Sequence, residues 1–409
     1  MKKIIFLISA LGILTFTLSA GNSIFSYDGY PVQYYGTDIY SLGMGDTGAS
    51  DIFRVNNGFA NPAMNNPDNR CFFSTGIIPG YNSYRSKDEE GNTKSFLDNS
   101  LDFPLFSLSF PLKLHRFGFQ FNPYVSGLVS NEHTFLLEDG TEVVEKQSID
   151  RYIYRADLIY SYRWKNNSFG VSGNYFFGHD IRDFKQEGNF GLFNTREKLS
   201  RDFKNPTFTL GYLWHNDKLA LGAHYTMTTK LKGEEVRSSI HQTEEPISYT
   251  LQIPSQYSLS VTALPLSQFK VACDLHYETW EAIDENKYTD SWKAGLGIAY
   301  EPSASDEHKG ILKFPMRTGV SYRHLPFQVN EADVNELALS LGISLPLPVS
   351  VNRIDLGFQY SQRGNLEKNR LLDNSFLFMI GFTGFDIFSK PIDRTVPRDI
   401  PEKEETTLW

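Results

Sequence analysis

From residue 70 onward the chain alternates between apolar and polar side chains with a period of two. In 353–362, RIDLGFQYSQ, Ile354, Leu356, Phe358 and Tyr360 share one face, and Asp355, Gly357, Gln359 and Ser361 share the other. Only an extended strand sends successive side chains to opposite sides. The pattern recurs in 269–278, where Phe269, Val271, Cys273, Leu275 and Tyr277 alternate with Lys270, Ala272, Asp274, His276 and Glu278. It returns in 217–227, with Leu219, Leu221, Ala223, Tyr225 and Met227 set against Ala220, Gly222, His224 and Thr226. In 337–345, Leu337, Leu339, Leu341, Ile343 and Leu345 oppose Ala338, Ser340, Gly342 and Ser344. Each segment is about ten residues long, which is what a tilted strand needs to cross the hydrocarbon of a bilayer.

The same reading places candidate strands near 70–80, 102–113, 115–127, 150–163, 167–179, 206–215, 217–230, 246–264, 267–283, 290–302, 313–324, 333–347, 350–362 and 374–388. That is about fourteen, an even number, as closure of a single-chain barrel requires. The connections have their own rhythm. Lys113-Leu114, Lys165-Asn166, Asn216-Asp217, Ser267-Gln268 and Pro348-Val349 are tight links. Between them, 81–101, 128–149, 180–205, 231–245, 284–289, 303–312, 325–332 and 363–373 are mostly longer and charged. Short periplasmic turns and long outer loops produce this alternation in outer-membrane barrels. A soluble β-sandwich also alternates, but lacks that loop rhythm.

Composition agrees with the pattern. Mean hydropathy is −0.35, yet aromatics reach 14% with 32 Phe and 22 Tyr. A barrel hides its apolar half by alternation and adds aromatic girdles at both interfaces, so a polar average with many aromatics fits it. The charge balance is acidic, Lys+Arg 39 against Asp+Glu 48, with no basic patch interleaved with aromatics, which argues against a nucleic-acid partner. The two cysteines, Cys71 and Cys273, are expected far apart and facing outward; pairing is left open by the sequence.

The ends read differently. Met1-Lys2-Lys3, the uncharged run Ile4 to Leu18 and the small residues Ser19, Ala20 and Gly21 make residues 1–20 a signal peptide, cut after Ala20. At the other end, 374–388 alternates and closes on Phe388, much like the final strand by which barrels are recognised for assembly, and 389–409 reads as a disordered periplasmic tail. Export would bring the chain to outer-membrane lipid and the barrel-assembly machinery, in the outer membrane of a Gram-negative cell.

Residues 41–50, SLGMGDTGAS, carry Gly43, Gly45 and Gly48 at G-x-G-x-x-G spacing. In a dinucleotide site a buried strand feeds the first glycine and a helix receives the phosphate. Here Asn22 to Leu42 offers no continuous apolar strand, so the nucleotide reading loses its context.

The stretch 41–67, running from those glycines to Asn61-Pro62-Ala63 just before the first strand, resembles the N-terminal segment of the FadL-type outer-membrane long-chain fatty-acid transporters. Further likenesses lie in 253–280, a Pro-initiated strand followed by one that ends on a tryptophan, and in 315–322, PMRTGVSY. The resemblance implies an all-β fold: a transmembrane antiparallel β-barrel of about fourteen strands, 70–388, with an N-terminal plug, 21–69, folded in its lumen. It also implies passive uptake of a hydrophobic small molecule such as a long-chain fatty acid, by a monomer. Gly43, Gly45, Gly48, Asn61, Pro62 and Ala63 would then shape the plug, with Asn56, Asn57, Asn65 and Asn66 bonding plug and wall. A barrel of the same fold acting in secretion or surface assembly, without transport, is the alternative. The loops 81–101 and 128–149 are mostly charged, with Phe96, Leu97, Phe135, Leu136 and Leu137 as their oily residues, which weakens the transport reading.

No enzyme constellation emerges. The nine histidines show no metal-ligand spacing, there is no G-x-S-x-G elbow, and two cysteines cannot build a zinc site, so no catalytic residue, metal or cofactor is expected. Asp88-Glu89-Glu90 and Glu244-Glu245 read as solvated loop charge. The candidate site residues are the charges that the period aims into the lumen: Arg151, Arg155, Asp157, Lys270, Asp274, His276, Glu278, Arg317, Arg323 and Asp355. A charge on the lipid face at the midplane costs about 2–4 kcal/mol, which favours that orientation. Plug anchoring and ligand contact are both open for them. Lys270, Arg317 and Arg155 are, by chemistry, candidates to hold a ligand carboxylate.

Overall fold

The computed structural model describes residues 23–26, 32–33, 38–54, 60–66, 70–138, 140–188, 194–302, 310–347 and 352–385. The expected signal peptide, the tail 389–409, Asn56, Asn57, the Pro348-Val349 link and Phe388 lie outside them.

Fourteen antiparallel staves form one closed sheet. They are β1 Phe72–Lys87, β2 Thr93–Asp102 resuming as Phe106–Leu112, β3 His115–Leu136, β4 Glu142–Trp164, β5 Asn167–Gly188, β6 Thr195–His215 and β7 Leu219–Thr226 resuming as Thr229–Ser239. The rest are β8 Ile247–Ile253 resuming as Gln256–Leu266, β9 Phe269–Glu278, β10 Ser291–Tyr300, β11 Met316–Val329, β12 Ala332–Pro346, β13 Arg353–Asn365 and β14 Leu371–Phe385. Each pairs with the next, and β14 returns to β1 in a register running from Leu371↔Ser86 to Phe385↔Phe72. Closure leaves no edge within the barrel, which is what a sheet in hydrocarbon needs, since no water is there to satisfy a free N–H.

The period-two reading holds side chain by side chain. On β9, Lys270, Ala272, Asp274, His276 and Glu278 are buried, while Phe269, Cys273, Leu275 and Tyr277 are exposed. Leu259, Leu339, Leu341 and Phe378 likewise stand on the outer surface. Aromatic pairs flank this apolar band: Tyr225–Tyr257 and Trp292–Tyr322 at one border, with ring centroids 4.9 and 5.3 Å apart, and Phe117–Tyr160 and Phe169–Tyr212 at the other, 5.4 and 5.3 Å apart. These are the girdles of a bilayer-spanning barrel. Cys71 and Cys273 are not joined in a disulfide.

The expected outer loops are where the structure departs from the sequence reading. Most of 81–101, 128–149, 180–205 and 231–245 is strand. β3, β4, β5 and β6 have 22, 23, 22 and 21 residues, about twice what the hydrocarbon layer needs. Above the membrane both faces of a strand meet water, so the ladder continues while the alternation that reveals it stops. Similarly 325–332, expected as a loop, is β11 running on to Val329, and Asn330 and Glu331 at φ 53° and 59° turn the chain in two residues. Two successive left-handed residues match the twist of the flanking strands. The long staves β3 to β8 thus form a one-sided curtain above the rest of the wall. Its inner face holds an apolar cluster of Tyr124, Val125, Ile153, Phe176, Phe203, Leu231 and Ile253, one or two residues from each stave.

Candidate functional site

The N-terminal residues 38–54 and 60–66 lie against the inner wall. Asp38 caps a single helical turn, α1, Ile39–Leu42, its carboxylate accepting from the Ser41 N–H at 2.9 Å. The chain then turns through Gly45 at φ +73° and Gly48 at φ +113°, a left-handed region that L side chains rarely adopt. Gly45 faces glycines of the wall. A Cβ at Gly297 would lie 2.2 Å from the Met44 carbonyl oxygen, and one at Gly319 would lie 2.2 Å from the Gly45 nitrogen. Farther round the wall, a Cβ at Gly170 would lie 2.2 Å from the Pro62 backbone and one at Gly211 2.3 Å from Asn61 Oδ1. At these four points the sheet omits the side chain where the segment comes close.

Polar groups fix the register of that contact. Asp274 Oδ2 accepts from the N–H groups of Gly48 and Ala49, both at 2.8 Å, and the Gly45 N–H donates to Ser340 Oγ at 2.8 Å. Asn61 Nδ2 donates to the carbonyls of Tyr212 and Ala223, and its Oδ1 accepts from the Ala63 N–H at 2.9 Å. Asn65 reaches the Leu114 carbonyl, and Asn66 ties back to the carbonyls of Ile52 and Arg54. The Asn61 and Asn65 amides thus bond the wall, and the Asn66 amide bonds the segment itself.

The charges form three constellations. Tyr40 sits in a cage of four cations, with Arg54, Arg317, Lys270 and Arg353 at 4.2, 4.4, 5.0 and 5.1 Å from its ring centre. A π-face attracts cations, and four carboxylates balance them. Arg54 pairs with Asp38 at 2.7 Å, Lys270 with Asp51 and Glu301 at 2.9 and 2.8 Å, and Arg317 and Arg353 with Asp355 at 3.3 and 2.9 Å. The Tyr40 hydroxyl donates to Glu301.

The second constellation is a rung around the inner wall. Lys293 stands opposite Arg323, Arg323 opposite Glu336, Glu336 opposite Arg363 and Arg363 opposite Asp373, across β10 to β14. Arg363 pairs with Glu336 at 2.5 Å and with Asp373 at 2.6 Å. The N-terminal segment joins at both ends, Asp46 pairing with Lys293 and Ser23 Oγ donating to Asp373 at 2.7 Å. The third is another rung, Arg151–Asp180–Arg201–Glu235, which crosses the curtain's inner face on β4 to β7.

The sequence-derived residues therefore fall in four places. Lys270, Arg317 and Asp355 are in the Tyr40 cage, and Arg323 is on the inner rung. Arg155 pairs with Asp157 at 2.9 Å, and with Asp274, His276 and Glu278 these line a polar cavity of about 40 Å³ bounded also by Ala49, Pro62 and Tyr124. Arg151 belongs to the curtain. Tyr40, Asp51, Arg54, Glu301 and Arg353 were not singled out from the sequence, because nothing local marks them. The wall glycines could have been found: Gly295, Gly297 and Gly319 fall at inward positions of otherwise regular strands, where a missing side chain signals close backbone approach.

A family model described as BamG matches residues 1–388. The chain belongs to the BamG family. No curated protein matches its sequence. Among solved structures, a Pseudomonas aeruginosa FadL homologue is 14% identical with a TM-score of 0.61, covering 87% of this chain and 99% of that one. The P. putida toluene transporter TodX is 16% identical with a TM-score of 0.57, covering 90% and 98%, and the Ralstonia pickettii toluene transporter TbuX is 13% identical with a TM-score of 0.52, covering 90% and 99%. At such identities the likeness establishes the fold of this BamG-family chain as that of the FadL-type barrels.

Proposed function

We propose that the chain is a plugged outer-membrane barrel that acts in surface assembly or secretion and presents its outer curtain to other polypeptides. The observation that carries this is how the lumen is held: residues 38–54 are fastened by buried ion pairs to Lys270 and Lys293 and by backbone bonds to Asp274 and Ser340. Moving the segment would break these together and leave charges unpaired, at about 3–5 kcal/mol for each buried pair broken. Residues 21–69 are its plug in this reading, and Gly43, Gly45, Gly48, Asn61, Pro62 and Ala63 the positions that shape it. The curtain, with about ten residues per stave beyond the bilayer, supplies the working surface.

A second reading, passive uptake of hydrophobic compounds such as long-chain fatty acids, is favoured by the near full-length likeness to toluene transporters. Arg155, Lys270 and Arg317 would then meet the ligand's carboxylate once the segment moved. Reconstitution in proteoliposomes separates the two. A plugged assembly barrel leaves the entry of toluene and oleate unchanged over protein-free vesicles, and saturable acceleration by the native chain would establish the uptake reading instead.

A further inference from the structure

The curtain parts from the rest of the wall on both flanks and so has two edges. On one flank, Ile247–Ile253 of β8 pairs with Thr229–Glu235 of β7, but β9 ends at Glu278, opposite Gln256. Among the described residues no strand lies along the other side of 247–253. On the opposite flank, β3 above Ser126 pairs with β4 alone. The curtain curls so that these flanks approach: Gln256 Nε2 donates to Tyr124 Oη at 2.7 Å, joining β8 to β3 at the base of a seam.

The composition of the β8 edge is unusual for an exposed one. ISYTLQI has no charge and no proline, whereas the neighbouring 229–239 carries Lys230, Lys232, Glu234, Glu235 and Arg237. Exposed edges are normally blunted by charge, proline or bulges. Tyr249, Leu251 and Ile253 turn inward onto the cluster around Tyr124 and Phe176, while Ser248, Thr250 and Gln252 point away. The seam already accepts an extended backbone at its foot, where Val32–Gln33 pairs antiparallel with Val125–Ser126 on β3.

We propose that the edge Ile247–Ile253 docks an extended strand of a partner polypeptide, uncharged and apolar at alternate residues. Backbone groups of the edge would supply the hydrogen bonds, and the cluster at the seam would take the alternate apolar side chains, as in strand addition elsewhere. The absence of charge along the edge selects a segment equally free of it. The idea rests on the assembly role above and names its partner's chemistry.

The test uses the full chain in detergent and a fluorescently labelled nonapeptide of alternating threonine and valine, followed by anisotropy with empty micelles subtracted. Saturable binding is expected, weakened at least about tenfold by the double substitution Ser248→Lys, Thr250→Lys, which charges the edge as natural sheets do. The variant should keep its heat-dependent gel shift. Equal binding by both proteins, or no saturation up to about 1 mM peptide, would overturn the proposal. Dimerisation of the native chain abolished by the same lysines would overturn it too, by placing a second copy on the edge. Proteoliposome uptake reads the functional assignment separately: a transporting barrel that binds the peptide keeps the edge and loses the assembly role, and a non-transporting one that ignores it does the reverse.

Discussion

Lys270 of the barrel wall and Asp51 of the N-terminal segment meet at 2.9 Å with both side chains almost wholly buried, 2% and 1% exposed. Neither charge has water to fall back on. Asp51→Ala should therefore weaken docking of the segment by about 3–5 kcal/mol, because Lys270 would keep only Glu301 as a carboxylate partner. Limited proteolysis within residues 38–66 should become faster, while the barrel's resistance to unfolding in detergent is retained, since its ladders do not involve Asp51. Unchanged proteolysis would mean the pair contributes nothing to docking.

The lipid-facing register can be read from a native thiol. Cys273 is exposed between buried Ala272 and Asp274. A membrane-permeant apolar maleimide should label it in vesicles, and a charged maleimide should not. In a background with both Cys71 and Cys273 replaced by serine the apolar probe should reach cysteine at Leu275 and spare cysteine at Asp274 or His276. Reversed labelling would show the register wrong by one residue, which would turn every side chain of β9 to the other face.

How much of this was legible beforehand follows from where water and lipid lie. Within the bilayer the two faces of β9 or β13 meet different solvents, so Lys270, Asp274 and Asp355 could be assigned inward from parity alone. Above it the solvents are the same on both faces, and 180–188 or 195–205 lost the signal that would have marked them as strand. The cage could not be foreseen, because Tyr40, Arg54, Glu301 and Arg353 are brought together by the closure of the sheet and by the path of the segment. The asparagines were readable as amides suited to bond a wall; which carbonyl each would meet was not.

The curtain's charge rung should matter to the curtain only. Asp180 accepts from Arg151 and, at 3.3 Å, from Arg201, which also pairs with Glu235 at 2.7 Å. Asp180→Ala leaves Arg151 without that acceptor and juxtaposes two cations. Hydrogen exchange should quicken in 142–153 and 178–204 by about ten- to hundredfold, corresponding to about 1.5–3 kcal/mol lost from a partly buried network. Exchange in β9 to β13 should not change; an equal rise there would mean that curtain and barrel unfold as one unit.

Glycine packing offers the sharpest test of the plug. Gly45 lies at φ +73°, where a Cβ would come within 2.8 Å of the Leu296 carbonyl oxygen and 2.9 Å of the Val320 backbone. Both obstacles are strand backbone and cannot turn aside. Gly45→Val should therefore displace the segment from the wall, and so should Gly319→Val from the other side, since the Cβ there would meet the Met44–Gly45 peptide at 2.2–2.3 Å. The sheet closes on its own hydrogen bonds, so each variant should still insert and keep its heat-dependent gel shift. What should change is the lumen: single-channel recordings are expected to show ion conductance in both variants and, more strongly, after deletion of residues 22–66, against little in the native chain. A nucleotide-binding loop makes the opposite demand, namely saturable NAD or ATP binding that Gly45→Val abolishes. Conductance that stays at the native level after the deletion would show that this segment does not block the pore.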